Sequence, residues 1–168
     1  MRATIVEQAR QLFSRRGIDG VSIAEVARAA GVSKANVMHH FGSKDGLYAA
    51  VLDLIDEHLG VVVDTAEAAD DPVAALPELL GAWAAARPED VRVMAYGLLR
   101  LPERNGRWAL SGPVERMIDL VGGDVGAATA RIVDLLGMVT YREMARPLLE
   151  AVPRSAATSS GGVDGVRR

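Results

Sequence analysis

Apolar residues recur at helical spacing along almost the whole chain. Ile5, Ala9, Leu12 and Phe13 form one stripe, and Gly17 stands where a left-handed residue would end that helix. After the turn "GIDG", Ser22 and Glu25 have the spacing of a capping box, in which each side chain satisfies the other's free backbone N–H. Such an N-cap contributes about 1 kcal/mol. Ile23, Val26, Ala27 and Ala30 give a second, short helix its inward stripe, and Gly31 breaks it. Ser33 caps a third, with Val37 inward and Phe41 and Gly42 at its end; Phe41 is expected to close a small core with Phe13. Ser43 caps a fourth, and the stripe Leu47, Val51, Leu54, Ile55, Leu59 carries it far beyond the first three.

Pro72, Pro88, Pro113 and the glycine pair at 122–123 divide the remainder. The apolar-rich segments between them, about 73–86, 89–101, 114–121 and 125–146, read as further helices with each proline in a first turn. No alternating pattern long enough for a strand appears, and there is no internal repeat. From Ser155 the residues are small and polar, with almost nothing to bury, which predicts disorder. The expected fold is all-α: a three-helix unit over 1–46, a larger helical domain over 47–150 and a disordered tail over 151–168.

Composition changes this picture little, and charge changes it more. Of the 168 residues 49% are hydrophobic but only 4% aromatic, so Leu, Val, Ala and Met must fill the core. The absence of cysteine excludes disulfides and thiolate metal sites and suits a cytoplasmic protein. The N-terminus lacks the apolar core of a signal peptide, and no run approaches the roughly 18 apolar residues of a membrane span, so no membrane role is expected. The formal net charge of −3 is uneven: residues 1–50 carry seven Lys/Arg against four Asp/Glu, and the remainder twelve against eighteen. A basic head on an acidic body points the head toward an anionic partner.

The stretch "GVSKANVMHHFGSK", residues 31–44, concentrates that charge. A metal site fits poorly, because adjacent His39 and His40 point roughly 100° apart on a helix and no HExxH pattern is present. A plain solvated face is the bland alternative. The context favours a third reading. Two short helices joined by a glycine turn form a helix-turn-helix, and Ala27, Gly31 and Val37 supply the close approach, the turn and the plug that its packing requires. The second helix then shows solvent a short polar face of the right size for a major groove, and its free N-terminal N–H groups suit phosphate.

On these residues residues 4–52 resemble the DNA-binding domain of the tetracycline-repressor (TetR) family of bacterial transcriptional regulators, through Ala9, Phe13, Gly17, Ser22, Ile23, Ala27, Ala30, Gly31, Val32, Ser33, Phe41, Lys44 and Leu47. The chain departs from many members in carrying Met38 where they have tyrosine. The resemblance implies an all-helical homodimer: an N-terminal unit that reads DNA, a fourth helix that links it to the rest, and a C-terminal domain that dimerises and binds a small effector.

Residue types suggest roles. Lys34 can donate to guanine or to phosphate; Asn36 can pair with adenine or hold the helix start; Ala35 lets the helix lie close. His39 and His40 suit phosphate or sugar contacts, or one of them packs inward. Ser22, Ser33 and Lys44 sit at helix starts, where phosphates can be met. One recognition helix offers few contacts, so a two-fold dimer on a pseudo-palindromic duplex is expected. Its interface is expected at 114–121 and 125–146, with Met117, Leu120 and Val121 as one stripe and Ile132, Leu135, Leu136, Val139 and Met144 as the other. Trp83, Met94, Tyr96 and Trp108 are plain core or line a pocket for an apolar or amphipathic effector against the fourth helix. No cofactor or metal is implied, and no nucleophile with its base, phosphate loop or carboxylate pair marks an enzyme. Two rivals to an effector-released repressor remain: a DNA-binding regulator controlled by a protein partner, and a helical enzyme or adaptor.

Overall fold

A computed structural model describes residues 1–99 and 110–151. These form eight α-helices: α1 (Arg2–Arg16), α2 (Ile23–Ala29), α3 (Lys34–Phe41), α4 (Lys44–Glu67), α5 (Pro72–Ala86), α6 (Pro88–Leu99), α7 (Ser111–Val121) and α8 (Val125–Ala151). No strand occurs among the described residues. The expected disordered tail and Trp108 lie outside them.

The first three helices end where the local chemistry requires. Gly17 adopts φ 66° and its N–H returns to the Phe13 carbonyl at 2.8 Å. Tyr96 packs over it, its ring 3.6 Å from where a Cβ would stand, an ordinary van der Waals contact. Gly31, at φ 68°, turns the chain between α2 and α3, a conformation in which an L side chain is strained. Ser22 and Glu25 form the reciprocal capping box, and Ser33 and Ser43 each accept the N–H three residues on. α5 and α8 run on through Pro77 and Pro147, where one helical hydrogen bond is forgone in each.

Around α4 the rest assembles. It buries ten residues, from Leu47 to Ala66, and packs against α1, α3, α5, α6 and α7. A fully buried aliphatic side chain contributes about 1.5–3 kcal/mol, whereas a surface ion pair contributes about 0–1 kcal/mol. The seat of α4 is therefore decided by its apolar stripe, not by the exposed pairing of Arg116 on α7 with Asp64 and Glu67. One apolar cluster runs without a break from Ile5 to Val139, so head and body share a core. The expected boundary at residue 46 falls within the first turn of α4.

Two sequence readings of the core need correction. The ring that Phe13 meets edge-on is that of Tyr48, with centroids 5.5 Å apart, while Phe41 packs against the outside of the same apolar cluster. Phe41 is half-buried, with the Arg2 guanidinium 5.3 Å over its ring. The stripe expected to face a second copy also faces inward in large part: Met117, Ile132, Leu136 and Val139 are buried in the chain's own core. The opposite face of α8 is bare instead, with Val133, Tyr141, Met144 and Leu148 between 46% and 72% exposed. Periodicity finds an apolar stripe but does not say which neighbour covers it.

Candidate nucleic-acid interface

The recognition helix is positioned from beneath. Val37 is fully buried and Val26 and Ala27 of α2 pack in the same core, which fixes the short α3 against α2. At 100° per residue this leaves Lys34, Ala35, Met38 and His39 on the outward face, all exposed. His40 is exposed on the flank, its ring centroid 5.7 Å from that of His39. Asn36 is turned toward the protein: its N–H donates to the Ser33 hydroxyl at 3.1 Å, and its side-chain Oδ1 is buried without a hydrogen-bond partner. That backbone bond is one any residue at position 36 would make, and the Asn36 side chain is half-buried.

The three capping serines differ electrostatically. Ser22 is committed to Glu25: its N–H and its hydroxyl both donate to that carboxylate at 2.8 Å. These bonds, the backbone one foremost, and Arg16 lower the Glu25 pKa to about 2, so a fixed negative charge already occupies the start of α2. Asp45 stands in the first turn of α4 beside Lys44. Only the start of α3, among these three, has no acid in its first turn. The helix dipole there, with Lys34 beside it, is left free to meet an anion.

Sequence reasoning missed two residues. Met38 follows Lys34 by one turn and so shares its face, a signal that spacing alone carries. Arg2 is placed near α3 by its contact with Phe41, and the sequence held no sign of that. Of the expected effector residues, Trp83, Met94 and Tyr96 line none of the four cavities described below. Met94 is fully buried and Trp83 is 6% exposed, while Tyr96 covers Gly17. Trp108 lies outside the described residues. Cavities of about 310–420 Å³ open elsewhere, between α5 and α8, α5 and α7, and α1 and α4. Large apolar residues at helical spacing mark a core as readily as a pocket, and here packing took Trp83 and Met94.

Head and body are also joined by charge. Asp90 of α6 is wholly buried; one oxygen accepts from Arg10 of α1 at 2.7 Å and the other lies 2.7 Å from His58 Nδ1 of α4. Arg10 further donates to Glu7, which holds the Glu7 carboxyl below its ordinary pKa. Burial, aided by Asp53 and Glu57, raises that of Asp56 on α4. Among the described residues no group of three or more His, Asp or Glu is placed to hold a metal, and no helix is long and apolar enough to cross a membrane.

The architecture defines a helix-turn-helix protein with an all-helical body. Residues 5–51 match the family model described as bacterial regulatory proteins, tetR family. It is 42% identical over 77 residues to the HTH-type transcriptional regulatory protein RaaS of Mycobacterium tuberculosis, covering 46% of this chain and 36% of that protein. It is 32% identical over 81 residues to the HTH-type transcriptional regulator AcrR of Shigella flexneri, covering 47% and 38%. The match thus spans little more than a third of those relatives' length. Across the fold it resembles the multidrug binding protein EbrR, crystallised with imidazole, with a TM-score of 0.66, 26% identity and coverage of 90% of this chain and 82% of that one. The fatty acid degradation regulator FadR of Bacillus halodurans shares the fold, with a TM-score of 0.72 at 16% identity over 88% of this chain and 89% of that one.

Proposed function

We propose that the chain is a sequence-specific DNA-binding transcriptional regulator, acting in the bacterial cytoplasm as a repressor that a small molecule releases. The observation that carries the reading is the outward face of α3. Lys34, Ala35, Met38 and His39 share it, and the helix start behind them lacks an acid. Lysine suits guanine, and Ala35 and Met38 suit the thymine methyl. Lys44, Arg2 and His40 flank that face as phosphate contacts, with Ser33 at its start; Ser22, tied to Glu25, plays the smaller part. The regulators named above support the reading by their resemblance.

A second copy completes it. The bare face of α8 offers Val133, Tyr141, Met144 and Leu148 around Gly137, where a Cβ would meet nothing within 4 Å. A dimer closed there carries two α3 helices, which must face major grooves about 34–36 Å apart or a multiple of it. Binding is then strongly salt-dependent, because several phosphates are neutralised at once. Electrophoretic shift with fragments of the source genome, repeated across a salt series, tests the reading. Retention of one palindromic fragment over random duplex supports it; equal, weak retention of every fragment overturns it.

A further inference from the structure

α5 carries a strip of small residues, Gly81, Ala84 and Ala85, one helical turn apart. Across from it α8 sets Val139, Arg142, Glu143, Arg146 and Leu149, and a cavity of about 310 Å³ lies between. The strip is open: a Cβ on Gly81 would meet no atom within 4 Å. At the cavity wall Glu143 is 2% exposed, which is costly for a charge unless it is paired. Arg92 of α6 donates to its Oε1 at 2.8 Å, and Arg146 forms an ion pair with its Oε2. Arg142 lines the same cavity and has no ion-pair partner among the described residues. Two guanidiniums thus hold the one carboxylate at the cavity wall, and a third, Arg142, lines the cavity beside them.

The sign of that surplus selects a ligand. An amine entering the cavity would meet Arg142 and find the single carboxylate already shared. A carboxylate or sulfonate would gain charge-assisted bonds from Arg142 and Arg146, and arginine suits such planar groups. An apolar body would lie along the small strip and against Val139 and Leu149. We propose that the α5–α8 cavity binds an amphipathic organic anion. The volume lies at the low end of ligand pockets, about 300–1,000 Å³, which favours a medium-chain acid over a large polycyclic one. The inference rests on the reading of the body as a small-molecule receptor and gives that receptor a site and a ligand class.

The site also has a route to the head. Arg92, which holds Glu143, and Asp90, which holds Arg10 of α1, both stand on α6. An anion that draws Arg146 from Glu143 changes the balance on Arg92 and so on α6. The cavity lies on the side of α8 away from Val133 and Met144, so its occupation leaves the bare face free for a second copy.

Calorimetric titration of the full chain, without DNA, with sodium decanoate, decylamine and decan-1-ol is the test. Decanoate is expected to bind saturably, one per chain, at least about tenfold more tightly than the amine or the alcohol. Gly81→Leu, which fills the strip, should lower decanoate affinity at least about tenfold while the thermal midpoint is unchanged or raised, and Gly81→Ala serves as the folding control. Arg142→Gln should remove the preference for the acid over the alcohol. Decylamine binding as tightly as decanoate, the absence of saturable decanoate binding, or full affinity in a folded Gly81→Leu protein each overturns the assignment. Operator titration separates the two readings. Decanoate bound at Gly81 with no effect on DNA keeps the cavity assignment and removes its regulatory role. A different compound that releases DNA while decanoate does not bind removes the assignment and keeps the regulation.

Discussion

Arg10 of α1 donates to the wholly buried Asp90 of α6 at 2.7 Å, and so ties the first helix of the helix-turn-helix head to the body. The Arg10 side chain is itself only 11% exposed. Breaking such a buried pair typically costs about 3–5 kcal/mol, and because Arg10 keeps Glu7 and Glu89 as partners the loss on removing Asp90 should lie at the low end of that range. Asp90→Ala is therefore expected to destabilise the protein by about that amount in urea unfolding. The double substitution Arg10→Met with Asp90→Leu should recover most of the loss. A loss below about 1 kcal/mol in the single variant would show that the tie is not structural.

On DNA, flanking cations and base readers should separate. Lys44→Ala and Arg2→Ala are expected to weaken binding on specific and random duplex alike and to reduce the salt slope by about one each. Lys34→Ala and Met38→Ala should mainly lower discrimination, by about 1–3 kcal/mol at the base each contacts. Asn36→Ala should cost less discrimination than Lys34→Ala, because its Oδ1 faces inward. A larger loss from Asn36→Ala would show that the carboxamide rotates outward on DNA. Fluorescence anisotropy with matched and scrambled duplexes reads all five.

The bare face of α8 makes a contrast within one helix. Val133→Arg and Tyr141→Arg alter residues 60% and 72% exposed, so the chain should stay folded and sediment as a monomer. Ile132→Arg, one residue from Val133 but 1% exposed, should unfold it. Circular dichroism and sedimentation velocity together distinguish the outcomes. A dimeric Tyr141→Arg protein would move the interface elsewhere.

Acid should loosen the head. The Glu25 carboxyl is lowered to about 2 by the Ser22 bonds and Arg16, and that of Glu7 is lowered first by Arg10. In the unfolded chain both return toward 4.5. A carboxyl depressed on folding stabilises above its unfolded pKa, and that stabilisation is lost as pH falls through the folded one. Urea midpoints should thus decline from about pH 5 toward pH 2. Glu25→Gln, which caps α2 without the charge, should lower the neutral-pH midpoint toward the acid value and so flatten that decline. An equally steep decline in the variant would assign the acid sensitivity to other groups.

Local chemistry by itself determined the helix-turn-helix. The Ser22–Glu25 box, the glycines at 17 and 31 and the buried Val37 act within a few residues, so they are legible in order along the chain. The helical segments beyond residue 43 were legible for the same reason: proline, glycine and spacing set them without help from distant residues. Which face of each helix is covered was not, because an apolar stripe is compatible with either neighbour. Tertiary structure alone turned Ile132 and Val139 inward and left Val133 and Tyr141 bare, and it set Tyr48 edge-on against Phe13. It alone placed Arg2 over Phe41, joined Arg10 to Asp90 across 80 positions, and set Arg92 of α6 against Glu143 of α8. Pairing of charges far apart in sequence leaves no periodic trace, because it depends on how helices cross and not on how each one forms.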